Sequence, residues 1–375
     1  MLENVKDYNP EIPKGRFGLS GTRWSILLMA DFLFGFSLKK NEKGKVMRKI
    51  ENPTWIGKRF RSLHEKNVAK LKKKNPETYA SPFSIPYIEA EHFDKDFFQY
   101  WRKNVNMPIV IKGFLKNAPI LEEATIDNFI ETKGDIEVKS IKKEINSENK
   151  VGQNISTVTS SFSDFLSKPE YEDHYINNFY GILEDDDFQT KCFGEEIDRI
   201  QAQKNVLVQW FISRSSKLGS SMHCAGGDNM FLNIAGRKEW HFIHPSYAPV
   251  LQTSVSQNAS FAVSEMQEQV EDDAFKELID GYDFMSHVPF YKYTLEEGDM
   301  LFNPPFWWHS VRNRTEFTVG CATRYLSMKM NSIPINLCLY LDIFKNPKNT
   351  IFVHMAKMKT GKMSKKEFIK IIFSN

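Results

Sequence analysis

The chain has 375 residues, of which 41% are hydrophobic and 26% charged, and its formal net charge is +3. This composition predicts a folded globular protein and argues against wholesale disorder. The four cysteines lie far apart and form no C-x-x-C pair, so neither a zinc clip nor a disulfide framework is indicated, and a reducing, intracellular setting is favoured.

Charge is unevenly distributed along the chain. Residues 1–75 carry 18 basic and 7 acidic side chains, residues 76–338 carry 24 and 38, and residues 339–375 carry 8 and 2. One interpretation is that these are solvated helical faces and that the basic ends attract the acidic middle. The other is a docking surface for an anionic partner, which would be a membrane, a nucleic acid or an acidic carrier protein.

Residues 1–84 are predicted to form a basic helical N-terminal extension. The run 24–38 is the most apolar of the chain, but its fifteen residues, interrupted by Asp31, fall short of the roughly twenty that span a bilayer. A helix packed on the core is favoured over one lying at a membrane surface. Residues 56–75 predict a second, exposed helix. Without a transmembrane segment or a secretory signal, we expect a cytoplasmic protein, with peripheral membrane attachment as the alternative.

From residue 85 onward the pattern changes to short β-rich runs closed by turn residues. After a helix expected over about 91–104, strands are predicted at 206–212, 230–236, 239–245, 291–295, 299–302 and 317–322. The acidic stretch 256–287 predicts a helical insertion. Basic C-terminal helices are expected over 329–375, which leaves a β-rich domain over 85–328.

Two sequence blocks carry the chemistry. Residues 220–229 read S-S-M-H-C-A-G-G-D-N, and residues 298–309 read G-D-M-L-F-N-P-P-F-W-W-H. In a common non-haem iron site, two histidines and one carboxylate occupy one face of Fe(II) and leave positions open for a co-substrate and O2. Here the position two residues after the first histidine is Ala225, so the carboxylate is missing.

The order of these blocks resembles the cupin-like JmjC family of Fe(II)/2-oxoglutarate oxygenases, over about residues 85–325. The resemblance implies a mainly β fold with helical extensions, built around a double-stranded β-helix (jelly-roll or cupin) core with the site inside the barrel mouth. It implies His223 and His309 as metal ligands, with Fe(II), 2-oxoglutarate and O2 as cofactors.

The resemblance also implies a co-substrate subsite. Lys238 matches the lysine that pairs with the distal carboxylate of 2-oxoglutarate, while Asn229 and Ser220 match amide and hydroxyl positions beside it. Arg324 is a second candidate for a co-substrate carboxylate. An asparagine that the family often carries on the last strand is replaced by Gly320.

The missing carboxylate leaves three hypotheses. The favoured one is a halogenase, because Fe(II)/2-oxoglutarate halogenases similarly have alanine or glycine at the position of Ala225 and bind chloride directly to iron. The alternatives are a two-histidine hydroxylase and a non-catalytic cupin-like binding protein, since loss of a ligand weakens metal binding. We expect neither Asp228 nor Cys224 to replace the ligand. The expected substrate is a small molecule or a peptide-bound or carrier-bound group.

Overall fold

The computed structural model of the chain describes residues 2–34, 37–40, 46–49, 55–143, 155–179, 196–201, 207–255, 261–267 and 273–325, and positions 354, 357, 360–364 and 367. The predicted C-terminal helices over 329–375 therefore lie almost entirely outside the described residues, as do Cys192 and Cys338. Cys224 and Cys321 are buried free thiols. Among the described residues, no helix has the length and apolar character needed to cross a membrane.

The described helices lie before and between the strands. They are α1 (Leu19–Phe34), α2 (Trp55–Lys74), α3 (Lys95–Tyr100), α4 (Ile120–Glu123), α5 (Ile126–Lys133), α6 (Phe162–Ser167), α7 (Glu196–Gln201) and α8 (Ala274–Gly281). The predicted exposed helix over 56–75 is confirmed as α2. The single helix expected over 91–104 is instead a 3-10 turn, α3 and a π-helical turn at Trp101–Val105 in succession.

The strands with described residues form two large sheets and a small hairpin of β1 (Ser37–Lys40) and β2 (Val46–Lys49). The seven-stranded sheet has the order β13 (Thr253–Val255), β14 (Phe261–Ser264), β10 (Gly219–Ala225), β17 (Trp308–Asn313), β12 (Lys238–Ile243), β15 (Phe290–Leu295) and β3 (Phe83–Ser84). The nine-stranded sheet has the order β4 (Tyr87–Glu89), β5 (Ile109–Lys112), β16 (Met300–Asn303), β11 (Asp228–Ala235), β18 (Thr318–Tyr325), β9 (Leu207–Ser213), β8 (His174–Phe179), β6 (Glu137–Lys143) and β7 (Ile155–Ser161).

The chain crosses from one large sheet to the other at almost every turn. Strands β9, β11, β16 and β18 belong to the nine-stranded sheet, whereas the intervening β10, β12, β15 and β17 belong to the seven-stranded sheet. This alternation winds the two sheets around a common interior. The expected mainly β fold with a double-stranded β-helix core is therefore confirmed.

The turn at Gly298 and Asp299 joins β15 to β16, and the carboxylate of Asp299 holds it in place. Gly298 has φ of 87°, a left-handed conformation that favours glycine. The two carboxylate oxygens of Asp299 accept hydrogen bonds from the backbone nitrogens of Gly113 (2.9 Å) and Glu296 (3.1 Å). This acid therefore anchors the turn to the end of β5.

Helices α1 and α2 pack on the outer face of the seven-stranded sheet. One hydrophobic cluster joins Trp24 and Leu28 of α1, and Leu63 and Leu71 of α2, to Met222, Cys224 and Trp308 of the sheet. The predicted packing of the apolar run on the core is confirmed for the face of α1 that carries Trp24 and Leu28. One face of each helix is therefore buried against the sheet.

The segment over 256–287 is not only a helical insertion. It contains α8 as predicted, but also β14, which pairs with β10 and places Val263 opposite His223. The prediction was wrong at this point because Phe261–Ser264 is too short a strand to show a clear alternation within an acidic stretch. The segment therefore covers the edge of β10 as well as capping the sheet.

Gly320 on β18 lies against side chains of both large sheets. A β-carbon at this position would lie 2.3 Å from Cζ of Phe231 and 3.2 Å from Cε of Lys238. Both side chains fill the interior between β11, β12 and β18. The absence of a side chain at residue 320 is thus required by packing in this chain.

We predict that Gly320→Ala destabilises the fold by about 1–3 kcal/mol, because the added methyl group overpacks the interior. The free energy of unfolding in urea measures this effect. Gly281→Ala, at the end of α8, is the matched control, since no atom lies within 4 Å of its added β-carbon. Equal stabilities of the two variants would contradict the packing argument.

Candidate metal and co-substrate site

The two motif histidines lie opposite each other on neighbouring strands. In the antiparallel pairing of β10 with β17, His223 pairs with His309, and the ring centroids are 4.2 Å apart at an interplanar angle of 51°. Paired residues project from the same face of a sheet. Trp240, from the adjacent β12, stacks on His309 at 5.6 Å and contacts Phe231 of the opposite sheet at 4.9 Å. The histidines therefore face the interior between the sheets.

An irregularity in β10 brings Ser220 to the same face. Ser220 pairs with Val311 and His223 with His309, so three residue steps on β10 oppose two on β17. In a regular strand, residues three apart point to opposite faces, and the bulge reverses this. The hydroxyl oxygen of Ser220 is buried and has no hydrogen-bonding partner among the described residues.

Backbone carbonyls set the tautomer of both imidazoles. Nδ1 of His223 lies 2.8 Å from the carbonyl oxygen of Ser221, and Nδ1 of His309 lies 2.9 Å from that of Trp307. A carbonyl oxygen only accepts, so we assign the hydrogen to each Nδ1 and a lone pair to each Nε2. This is the arrangement of histidines that bind metals. Burial, followed by the neighbouring His223, holds the pKa of His309 well below its ordinary value, so its ring is neutral at neutral pH.

Alanine occupies the position of the missing carboxylate. Ala225 lies two residues beyond His223 and so on the same face of β10. Its carbonyl oxygen accepts a hydrogen bond of 2.8 Å from the nitrogen of Phe306, which fastens the turn before β17. In the part of the chain that the structure describes, no group of three His, Cys, Asp or Glu side chains is arranged to hold a metal ion.

The two nearby candidates for a replacement ligand point elsewhere. Asp228 forms an ion pair with Arg102, from the π-helical turn outside the nine-stranded sheet. Cys224 lies in the cluster beneath α1 and α2, where burial raises the pKa of its thiol. Side chains alternate between the two faces along a strand. Cys224 and Asp228 adjoin the inward-facing Ala225 and Asn229, so both point to the outer faces.

Lys238 spans the interior from β12 to β18. Its Nζ donates hydrogen bonds to Oδ1 of Asn313 (2.7 Å) and Oγ1 of Thr318 (2.9 Å), and no carboxylate among the described residues pairs with it. Burial alone lowers the pKa of Lys238 to about 7. A buried amine held by two neutral acceptors is ready to receive an anion, which would restore its charge.

A polar row on the nine-stranded sheet faces the histidines. Asn229 pairs with Asn303 on one side and with Arg324 on the other. Nδ2 of Asn303 lies 3.3 Å from Nδ1 and 3.5 Å from Nε2 of His309. Nε of Arg324 donates to Oε1 of Gln209 at 2.9 Å, and the Arg324 charge contributes to lowering the pKa of His309.

Several buried polar atoms in this interior have no hydrogen-bonding partner among the described residues. They are Oγ of Ser220, both amide atoms of Asn229 and Oδ1 of Asn303. Burying such groups unpaired costs free energy, so they mark the position of a ligand or of ordered water. Two imidazole Nε2 atoms, an amine and these oxygen and amide groups fit a metal ion together with a small oxygen-rich anion.

The structure brings the sequence-predicted site residues to the facing sides of the two sheets. The seven-stranded sheet carries Ser220, His223, Ala225, Lys238 and His309, and the nine-stranded sheet carries Asn229 and Arg324. Sequence reasoning missed Asn303, Asn313 and Thr318. Asn303 could have been found, because it lies two residues after Leu301 in the second motif block and so on the same face of the strand. Asn313 and Thr318 could not, because only their contact with Lys238 across the interior identifies them.

Comparison with known proteins places the chain in a family. It is similar to tRNA wybutosine-synthesizing protein 5 of Gallus gallus, with 25% identity over 248 residues, which are 61% of this chain and 72% of that protein. The cupin-like domain family matches residues 95–331, a span that contains the whole candidate site. Because this match covers well over half of the chain, the protein belongs to the cupin-like domain family.

Proposed function

We propose that this protein is an Fe(II)/2-oxoglutarate-dependent enzyme of the oxygenase type, which functionalises an unactivated C–H bond. One observation carries the proposal: His223 and His309 are paired on one inner face with both Nδ1 atoms engaged by backbone carbonyls, which assigns the lone pair of each ring to Nε2, the atom that can ligate a metal. Membership of the cupin-like family and the resemblance to JmjC oxygenases support it.

The imidazole pair would hold the metal through the two Nε2 atoms. When bound, Fe(II) with 2-oxoglutarate supplies the oxidising chemistry, in which O2 is consumed, the co-substrate is converted to succinate and CO2, and a C–H bond is oxidised. The carbonyls of Ser221 and Trp307 fix the ring orientations, and Trp240 packs against His309 to keep its ring in place. The low pKa of His309 keeps the ligand unprotonated.

Lys238 would hold the distal carboxylate of the co-substrate. Asn313 and Thr318 already position its Nζ, and a bound carboxylate would compensate the burial that lowers its pKa. The unpartnered Ser220 hydroxyl and Asn229 amide would supply hydrogen bonds to the same small molecule. Arg324 is a second candidate, but its guanidinium is already bonded to Gln209.

We further propose that chloride takes the coordination position beside Ala225, so that the oxidised carbon acquires chlorine. The small side chain supports this, since an aspartate there would fill both the volume and the metal position. The engagement of Asp228 by Arg102 also supports it, because this acid, the nearest in sequence to Ala225, is then held away from the place of a halide. If water takes the position instead, the same residues would serve a hydroxylase, which is the alternative reaction.

The similarity to a protein named for tRNA wybutosine synthesis favours a second candidate for the substrate. On this reading the substrate is a nucleoside of tRNA. The reaction would be the hydroxylation already named as the alternative. Product analysis separates the two, since a halogenated product contains chlorine in place of hydrogen and a hydroxylated product contains one added oxygen.

We predict that Ala225→Asp abolishes any dependence of the enzyme on chloride, because the new carboxylate takes the position that the halide would occupy. The measurement is O2-dependent formation of succinate from 2-oxoglutarate in chloride and in sulfate buffers. Ala225→Gly is the matched control, since it leaves the position open and should keep the chloride dependence. A chloride dependence that survives unchanged in Ala225→Asp would remove the halide from this position.

We predict that affinity for 2-oxoglutarate weakens above about pH 7, by up to about tenfold per pH unit, because only protonated Lys238 attracts a carboxylate. Binding is measured between pH 6 and 9 with Mn(II) as the metal. In Lys238→Met, affinity should be weaker and almost independent of pH. The same slope in both proteins would exclude Lys238 as the anion-binding group.

The lowered pKa of Lys238 also makes the stability of the ligand-free protein depend on pH. The folded pKa of about 7 lies below the ordinary lysine value of 10.5, so the unfolded chain binds more protons between these values. The contribution of Lys238 to the free energy of unfolding therefore increases as the pH rises through this window.

A further inference from the structure

Helices α1 and α2 expose large apolar side chains on the side that faces away from the sheet. Leu19 is 81% exposed, Ile26 56% and Trp55 65%, and Phe261 is the remaining large hydrophobic side chain exposed among the described residues. Leu19 and Ile26 are seven residues apart and so lie on one stripe of α1, with Arg23 between them. Large exposed apolar groups spread along one side of a helix pair are a candidate interaction surface.

Cations lie beside these apolar groups. A groove of about 470 Å³ runs between the two helices and is lined by Arg23, Arg59 and Lys66 together with Ile26, Leu27 and Leu63. The Arg59 guanidinium also lies 4.3 Å from the centre of the Trp55 ring. None of the ion pairs between described residues involves these three cations, and no acid lines the groove. We call Leu19, Trp55 and the residues lining this groove the α1–α2 face.

The α1–α2 face is not needed for packing within the chain. The opposite side of each helix is already buried against the seven-stranded sheet through Trp24, Leu28, Leu63 and Leu71. The helices therefore present the face as a fixed surface. The excess of 18 basic over 7 acidic side chains in residues 1–75 gives it a positive environment.

We propose that the α1–α2 face docks the protein on a bilayer that contains anionic phospholipids. Arginine and lysine would contact the headgroup phosphates, while the leucine, isoleucine and tryptophan side chains enter the boundary between headgroups and acyl chains. Tryptophan is favoured at this boundary because its ring is apolar and its N–H is polar. A nucleic acid would use the cations but would leave the aliphatic side chains exposed to water, so a bilayer fits this surface better.

The test is sedimentation of the full chain with sucrose-loaded vesicles of phosphatidylcholine, with and without phosphatidylserine. We expect binding only to the anionic vesicles, and weaker binding at high salt. Replacing Arg23, Arg59 and Lys66 by glutamine should lower the affinity on the order of a hundredfold, from the usual contribution of each surface cation. Leu19→Ser with Ile26→Ser should weaken binding without changing the charge.

A matched control removes three exposed lysines elsewhere, as Lys95→Gln, Lys103→Gln and Lys116→Gln, and should bind as the unchanged protein does. All of the substituted side chains are exposed, so unfolding midpoints should stay the same. No binding to anionic vesicles, or equal loss in the control, would overturn the proposal. Binding of tRNA that the triple glutamine variant abolishes, without vesicle binding, would assign the face to a nucleic acid instead.

Discussion

The register between β10 and β17 is the constraint on which the candidate site depends. It places His223 directly opposite His309, and a shift of one residue would turn the β10 side chain to the outer face. Three features hold the register: the bulge after Ser220, the hydrogen bond from Phe306 to the carbonyl of Ala225, and the stacking of Trp240 on His309. Each of them contacts one of the two histidines or lies within three residues of one.

Without a ligand, the polar groups buried between the sheets lower the free energy of unfolding. Among the described residues, Lys238 has no anionic partner, and the buried amide of Asn229 and hydroxyl of Ser220 have no hydrogen-bonding partner. Each such group destabilises the folded chain until an anion, a metal or water satisfies it. A barrel retained only for its shape would gain stability from apolar residues at these positions, so the polar set favours a binding role. If His223 and His309 bind a metal as proposed, this two-histidine set and Ala225 would decide which chemistry the metal can support.

Much of the fold and part of the site could be predicted from the sequence. The strands that flank the two histidine blocks, β9, β11, β12, β15, β16 and β18, could be predicted because they are short apolar runs, and α2 because its charged pattern ends before Pro76. Strands β10 and β17, which carry His223 and His309, were not predicted, because their polar residues interrupt any apolar run. The bulge in β10 could not be predicted, since alternation alone assigns Ser220 to the wrong face. The partners of Lys238 could not be predicted either, because Asn313 and Thr318 contact it only once the two sheets have packed together. Strand β14 was missed within the acidic stretch, where its four residues gave no periodic signal.

Anaerobic addition of Fe(II) and 2-oxoglutarate, followed by the metal-to-ligand charge-transfer absorption, tests whether the histidine pair binds a metal and co-substrate. We expect a band in the unchanged protein and its loss in His309→Ala. His241→Ala is the control, because His241 bonds Glu239 on the opposite face of β12 and should leave the band intact. A band that survives the loss of His309, or no band in the unchanged protein, would contradict a metal and co-substrate site at the histidine pair.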